Sequence, residues 1–412
     1  MLCPYHMKIE TPTEKQLNHL LDYNIASLYP SREFAVEALK GGKQISIYLG
    51  VDPSSSNIHL GNAVVLRKLR EFQNLGHKII FLIGDFTGLI GDPTDKTAVR
   101  KQLTPEEVKK NAKTYKEQIS LLLDFDGDNP AEIKFNSKWL SKLNFEDLIG
   151  LAANFTVQQM LERDMFQERI KNEKPIYLHE FFYPLMQAYD CVEMNVDAEI
   201  GGTDQTFNML VGRTLMKSVL DKEKLVFTCP LLVGSDGHKM SKSLNNTIDV
   251  FDTPSDMYGK LMAVKDELII EYLRMCTDYG AEEIENFREQ IEEGENPMEI
   301  KKVLAFTVTK FYHGENKAQT AEKEFERVVQ KGDTPTEIAE VRIDETEMNI
   351  VDLLVRIGLA NSKAEAKRLV NQDAVEIDGS RERETAALVK ITNGMIVKAG
   401  KRKFARVIVD GK

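Results

Sequence analysis

The sequence predicts an α/β chain: a mostly parallel sheet covered by helices, then an all-helical stretch, then a small α+β module. Three observations carry this prediction. From about residue 44 to 250, apolar runs of strand length alternate with helical patterns. From Thr253 onward strand-like runs cease, and from 348 the charge changes sign.

Residues 1–40 read as mostly helical in pattern. QISIYLGVDP (44–53) reads as a short strand stopped by Asp-Pro, and KIIFLIGD (78–85) as an apolar strand after a Gly76-His77 stop. Between them Val64, Val65, Leu66, Leu69 and Phe72 recur at helical spacing, with Arg67, Lys68, Arg70 and Glu71 opposite. The result is a βαβ unit with His59 near a helix N-terminus, where free N–H groups suit a phosphate. A helix over 104–123 is signalled by Thr104, Pro105 and Glu107, which form an N-cap, a first-turn proline and a capping-box partner. A strand near Ile133–Asn136 and a helix from about Phe145 to Ile170 follow. LVFTCPLLV (225–233) is a further apolar run, and 254–331 reads as long helices without a strand. GDTPTEIAEVRIDETE (332–347) is acidic and turn-rich and reads as a linker.

The chain has 412 residues, too many for one core, so two to four domains are expected. Its 42% hydrophobic and 29% charged residues are those of a globular protein. No stretch approaches the roughly 18 apolar residues that span a bilayer. The opening MLCPYHMKIETPTEK has no signal-peptide pattern, so a cytoplasmic location is expected. Cys3, Cys191, Cys229 and Cys276 are scattered, which indicates neither a zinc site nor a disulfide framework; no metal-binding residues are expected. Net charge is −11, yet residues 348–412 hold 13 Lys+Arg against 8 Asp+Glu, or +5, leaving −16 on the rest. A basic module on an acidic body suggests a part that meets an anion.

Two motifs carry chemistry. DPSSSNIHLGN (52–62) packs Asp, three Ser and Asn ahead of the helix that His59 opens. Ser and Asn cap helices routinely, so this loop alone is an ordinary capped turn as readily as a site. GSDGHKMSKSLNN (234–246) places Lys239, Ser241, Lys242 and Ser243 in a polar loop with Gly234 and Gly237 as hinges. Most such loops are solvated basic surface. Two ammonium groups on a mobile loop can also close over a triphosphate and neutralise charge on departing pyrophosphate, a gain made mainly in the transition state.

HLGN (59–62) with KMSKS (239–243) resembles the two signatures of class I aminoacyl-tRNA synthetases. Asn62 stands where the family usually has a second histidine. FFYPLMQAYD (181–190) sets Tyr183, Gln187 and Asp190 on one helix face among bulky apolar neighbours, a stripe walled in rather than solvated. This YxxxQxxD segment, with TGLIGDPTDK (87–96) and IGGTDQTFN (200–208), resembles the tyrosyl-tRNA synthetases of bacterial, KMSKS-bearing type. Thr206-Phe207 departs from the Trp-Gly of the other branch.

The resemblance implies a Rossmann-like catalytic domain over 1–252, including the 234–246 loop, and a helical domain nearer the anticodon over 253–331. It also implies ATP with Mg²⁺ as substrate, no tightly bound cofactor, and a homodimer. Tyr48 and Asp190 would meet the substrate phenol. Asp92, Tyr183 and Gln187 would hold its ammonium, with Gln205 at its carboxylate end. Asp52, Gly61, Asn62, Gly202 and Asp204 would contact the adenylate. Ser54, His59, Lys239, Lys242 and Ser243, with Lys96 and Arg100, would reach the phosphates. Asp190 and Tyr48 would lose a partner when phenylalanine enters. Tyrosyl-tRNA synthetases are themselves the reference case for this effect, with roughly 10⁵ discrimination and no editing. The expected activity is tyrosine–tRNA ligation. A tryptophan enzyme and a catalytically silent RNA-binding relative remain the alternatives.

NIVDLLVRIGLANSKAEAKRLVNQDAVEIDG (349–379) resembles an S4-type RNA-binding domain: two short helices near 350–357 and 362–371, a turn, and a Val-Glu-Ile strand. Asp373 and Asp378 replace the Gly and Asn common there. Lys363, Lys367 and Arg368 on the second helix, with Lys401, Arg402 and Lys403 near Phe404, suit phosphate contact. The partners implied are L-tyrosine, ATP and tRNA(Tyr), with neither DNA nor membrane.

Overall fold

The computed structural model describes residues 9, 11–92, 103–238, 240, 244, 246–330, 338–400 and 403–409. Lys96, Arg100, Lys239, Ser241, Lys242, Ser243, Lys401 and Arg402 lie outside them, as do residues 332–337 of the expected linker, whose Ala339–Arg342 form a strand. The chain forms two compact units, one of residues 1–251 with 264–297, the other of 252–263 with 298–412.

The first unit is built on a six-stranded sheet: β1 (Ser27–Tyr29), β2 (Ser46–Val51), β3 (Lys78–Ile83), β4 (Glu132–Phe135), β5 (Ala198–Gly202) and β6 (Leu225–Cys229). Its order is β1-β6-β5-β2-β3-β4. Strands β6, β5, β2, β3 and β4 run parallel, and β1 pairs antiparallel at the edge. The chain order therefore reverses between β2 and β5, the crevice where open α/β sheets bind ligands. The near-continuous burial of β3 and β6 explains their unbroken apolar sequences. Helix α1 (Leu60–Asn74) leaves the end of β2 and buries Val64, Val65, Leu66, Leu69 and Phe72. Helices α2 (Phe182–Met194) and α3 (Thr206–Leu220) precede and follow β5.

Several elements differ from expectation. The first forty residues contain β1 between two helices; three residues at a sheet edge carry no period to read. The helix expected over 104–123 is two, Pro105–Ala112 and Tyr115–Ile119. Its capping box is as read: Glu107 N–H donates to Thr104 Oγ1 at 3.2 Å, and Thr104 N–H to Glu107 Oε2 at 2.8 Å. The helix expected from Phe145 to Ile170 is three short ones. Thr156 caps the second, accepting from Gln159 N–H at 3.2 Å, so a new helix starts where the apolar period alone continues.

In the second unit, helices Pro254–Met262 and Glu315–Phe325 precede a five-stranded sheet. Its strands are β7 (Ala339–Arg342), β9 (Val375–Ile377), β10 (Ser380–Glu382), β12 (Ile396–Ala399) and β13 (Lys403–Ile408), ordered β10-β9-β12-β13-β7. Two further strands, β8 (Glu347–Asn349) and β11 (Leu388–Lys390), pair with each other. Ile350, Leu353, Leu354, Ala366, Val370, Val375, Val397 and Val407 share one buried core confined to this module. Ser362 caps α4 (Lys363–Asn371), accepting from Glu365 N–H at 3.2 Å. Asp373 and Asp378 adopt φ of +54° and +46°, left-handed turns that aspartate tolerates.

Candidate active site

A cavity of about 580 Å³ opens at the carboxyl ends of β2, β3 and β5. Tyr48, Asp52, Ser54, His59, Gly61, Asn62, Asp92, Tyr183, Gln187, Asp190, Gly202, Asp204 and Gln205 all line it. Sequence positions as far apart as 48 and 205 meet there because β2 and β5 are neighbours at the reversal of strand order.

His59 is the N-cap of α1, with extended φ and ψ of −106° and 170°. Asn62 sits at the third helical position, and its Oδ1 accepts the His59 N–H at 3.2 Å. Thus Asn62 serves the backbone of the turn as well as lining the cavity. The ring of His59 lies over Gly61: a Cβ there would be 3.0 Å from Nδ1 and 3.1 Å from Cε1. Glycine is what lets the ring fold back on the helix start.

The second motif region is tied to the first. Residues His59 and Asp249 form an antiparallel bridge. Leu60 N–H donates to Ile248 O at 2.8 Å, and Val250 N–H to Ile58 O at 3.0 Å. Asn57 Nδ2 donates to Asp249 Oδ2 at 2.9 Å. From this anchor the chain runs back to the 239–243 loop, of which Met240 is described and lines the same cavity. Gly237 turns with φ +83°, and Asp236 Oδ1 accepts from His238 N–H and Asn246 Nδ2.

The polar stripe on α2 is walled in: Tyr183 is 7% exposed and Asp190 2%. Trp139 Nε1 donates to Asp190 Oδ1 at 2.7 Å and Asn136 Nδ2 to Oδ2 at 3.2 Å. Burial pushes the Asp190 carboxyl well above its ordinary range, against the lowering effect of Trp139 and Asn136. Tyr183 was expected at the ammonium; its hydroxyl donates to Asp52 Oδ2 at 2.8 Å, while Thr87 Oγ1 donates to Asp52 Oδ1 at 2.7 Å. Asp52 is thus an acceptor shared by Tyr183, expected at the amino acid, and Thr87. Asp92 accepts from Gln205 Nε2 at 2.7 Å and from Arg163 Nη2 at 3.2 Å. Arg163 lies over the rings of Phe166 and Phe207, the latter one of the two residues that depart from Trp-Gly. Tyr48 donates its hydroxyl proton to Glu199, its direct neighbour across β2 and β5.

Asn136, Trp139, Arg163 and Glu199 were not expected at the site. Two signals were available: Trp139 is the only tryptophan, and Glu199 is a lone carboxylate in an otherwise uncharged strand. Lys363, Lys367 and Arg368 are exposed on α4 in the second unit, and Lys403 Nζ lies 3.5 Å from Glu365 of that helix. Lys363 pairs with Asp352 at 2.7 Å.

The comparisons with known proteins decide the family. The sequence profile of tRNA synthetases class I (W and Y) matches residues 40–330, and that of the tyrosine–tRNA ligase SYY-like C-terminal domain matches 330–407. Tyrosine–tRNA ligase of Thermotoga maritima is 47% identical over 96% of this chain and 98% of its own length. That of Moorella thermoacetica is 44% identical over 97% of each. The chain belongs to the class I tyrosine–tRNA ligases. Among solved structures, it resembles a C-terminally truncated mitochondrial tyrosyl-tRNA synthetase of Aspergillus nidulans with a TM-score of 0.62 at 22% identity, covering 76% of this chain and 93% of that one. It also resembles tyrosyl-tRNA synthetase of Archaeoglobus fulgidus complexed with L-tyrosine, with a TM-score of 0.59 at 21% identity, covering 75% and 99%. These two likenesses concern the fold. Among the described residues no helix is long and apolar enough to cross a membrane.

Proposed function

We propose that the cavity activates L-tyrosine with ATP to tyrosyl-adenylate and pyrophosphate, and that the enzyme then transfers tyrosine to the 3′ end of tRNA(Tyr). The observation that carries this reading is the convergence of the 59–62 turn, Met240 and the Tyr183-Gln187-Asp190 stripe on one cavity. Tyrosine occupies the end bounded by Tyr48 and Asp190, with Gln187, Tyr183, Asp92 and Gln205 along its amino-acid portion. ATP enters with Mg²⁺ against Asp52, Gly61, Asn62, Gly202 and Asp204. The tyrosine carboxylate attacks the α-phosphorus in line, and positioning supplies most of the acceleration. Ser54, His59, Lys239, Lys242 and Ser243 stabilise the departing pyrophosphate.

The 253–331 helices face the anticodon side, and 348–412 contacts tRNA phosphates through Lys363, Lys367, Arg368, Lys401, Arg402 and Lys403. The working form is a cytoplasmic homodimer. Phe145 (78% exposed), Ile149, Val157, Ile170 and Leu178 support this, since they leave large apolar side chains in water on the first unit. Pyrophosphate exchange into ATP, run with each amino acid in turn, tests the activity. Stimulation by tyrosine alone is expected; stimulation by tryptophan, or by none, overturns it. Light scattering at twice the 46.8 kDa chain mass tests the dimer.

A further inference from the structure

Behind the cavity lies a buried charged cluster that the reaction scheme does not use. Glu199 on β5 is 2% exposed, and Lys224, just before β6, is fully buried. Four donors meet the two oxygens of Glu199. Tyr48 O–H and Gln187 Nε2, the latter at 2.9 Å, donate to Oε1; Lys224 Nζ and the Cys191 thiol, at 3.4 Å, approach Oε2. Lys224 Nζ is also 3.1 Å from Cys191 Sγ. Gly212 of α3 makes room for the cluster: a Cβ there would lie 2.7 Å from Lys224 Nζ and 2.9 Å from Cys191 Sγ. Burial opposes the charged form of Lys224, but the Glu199 carboxylate and the hydrogen bonds to it and to the Cys191 sulfur outweigh it and hold the ammonium above its ordinary value. Burial and Glu199 together push the Cys191 thiol up to about 12, so it stays protonated.

Two of the four donors, Tyr48 and Gln187, also line the cavity. A hydroxyl has one proton, and a carboxylate only accepts. With its proton on Glu199, Tyr48 can offer a ligand only lone pairs. With Nε2 on Glu199, Gln187 offers its Oε1. We propose that the Glu199–Lys224 pair is a positioning and specificity-determining device: it turns both side chains into acceptors, so the pocket selects a ligand that donates from a hydroxyl at one end and an ammonium at the other. Lys224 acts through Glu199, by compensating a carboxylate that would otherwise be buried without a counter-charge. This inference rests on the tyrosine reading of the site.

The test compares wild type with Glu199→Leu/Lys224→Met, which removes both charges and the shared acceptor together. Leucine at 199 has no acceptor oxygen, so neither Tyr48 nor Gln187 can place its proton there. Pyrophosphate exchange should show the tyrosine KM raised about 10- to 100-fold, the worth of a hydrogen bond to a charged group. The ATP KM should stay unchanged, and the tyrosine-to-phenylalanine ratio of kcat/KM should fall at least about tenfold, with melting within a few degrees of wild type. A folded variant that keeps the wild-type ratio and KM overturns the proposal. Should the variant not fold, competition in the wild type decides. 4-Aminophenylalanine, which donates at the para position, should inhibit tyrosine-dependent exchange at least tenfold better than 4-fluorophenylalanine, which cannot. Equal inhibition overturns the proposal. A wild type that lacks tyrosine-dependent exchange would instead overturn the reading of the site, and the role of the pair with it.

Discussion

Asp190→Asn changes one oxygen of a 2%-exposed carboxylate into an amide nitrogen, and the surroundings leave that nitrogen nowhere to go. Both oxygens of Asp190 accept, one from Trp139 Nε1 at 2.7 Å and one from Asn136 Nδ2 at 3.2 Å. Trp139 only donates, so the new amide must keep its oxygen there and turn its N–H₂ toward Asn136. Asn136 cannot flip to receive it without cost. Its Nδ2 also donates to Thr87 Oγ1 at 3.0 Å, and its Oδ1 accepts from Phe86 N–H at 2.9 Å. One buried donor is left facing another, a cost of about 1–3 kcal/mol. On the proposed tyrosine reading, the carboxylate acceptor for the substrate phenol is lost as well, worth about 1.5–3 kcal/mol. The first cost falls on the free enzyme and lowers folding stability; the second alone enters kcat/KM and lowers it for tyrosine by roughly 10- to 150-fold. Phenylalanine, with no hydroxyl to place, should lose much less, so discrimination between the two should collapse. Pyrophosphate exchange with both amino acids measures this directly. An equal loss for tyrosine and phenylalanine would refute the reasoning and leave Asp190 a structural residue.

Three other predictions concern separate parts of the chain. His77 is fully buried, and burial pushes its imidazole down to about 4 from 6.5. Between those values the unfolded chain binds a proton that the native state excludes, so stability rises with pH through this window and is lost as pH falls from about 6.5 toward 4. His77→Gln should flatten that limb in a series of melting curves, and an unchanged slope would contradict it. A chain ending at residue 337 removes a module whose core, Ile343 to Val407, is its own; it should keep tyrosine-dependent exchange and charge tRNA at least tenfold more weakly, and unchanged charging would give the basic module another partner. Lys242→Ala should slow adenylate formation in stopped-flow by about 10²-fold or more with tyrosine affinity nearly unchanged, since the interaction is made mainly in the transition state; an equal loss of both would make the loop structural.

How far the sequence could be read follows from what each side chain reports. The β3 and β6 runs and α1 were legible because burial imposes a period or an unbroken apolar run. The segment from Phe145 to Ile170 was not, because Phe145, Ile149, Val157 and Ile170 are exposed while Met160, Met165 and Phe166 are buried, so its apolar residues do not share one inward face. Their spacing therefore reports no single helix. At the site, Tyr183, Gln187 and Asp190 were legible as a stripe on α2, and their convergence with His59 is seen in the fold. Their partners were a different matter. That Tyr183 reaches Asp52, that Arg163 sits on Asp92, and that Glu199 takes the Tyr48 proton depend on strand order and register. Tyr48 faces Glu199 because β2 pairs β5 rather than a sequence neighbour on that side, and no local pattern in either strand announces that. Lys224 beside them reads in sequence as one more charged residue of a DKEK turn.

The central claim is that the 59–62 turn, the 239–243 loop and the α2 stripe enclose one aminoacyl-adenylate. A crystal structure with a non-hydrolysable tyrosyl-adenylate analogue tests it most directly. The phenol should lie within hydrogen-bonding distance of Asp190, with the adenine against Gly61 and Asn62 in the same cavity. An analogue bound elsewhere, or held by the two signature segments in separate cavities, would contradict it.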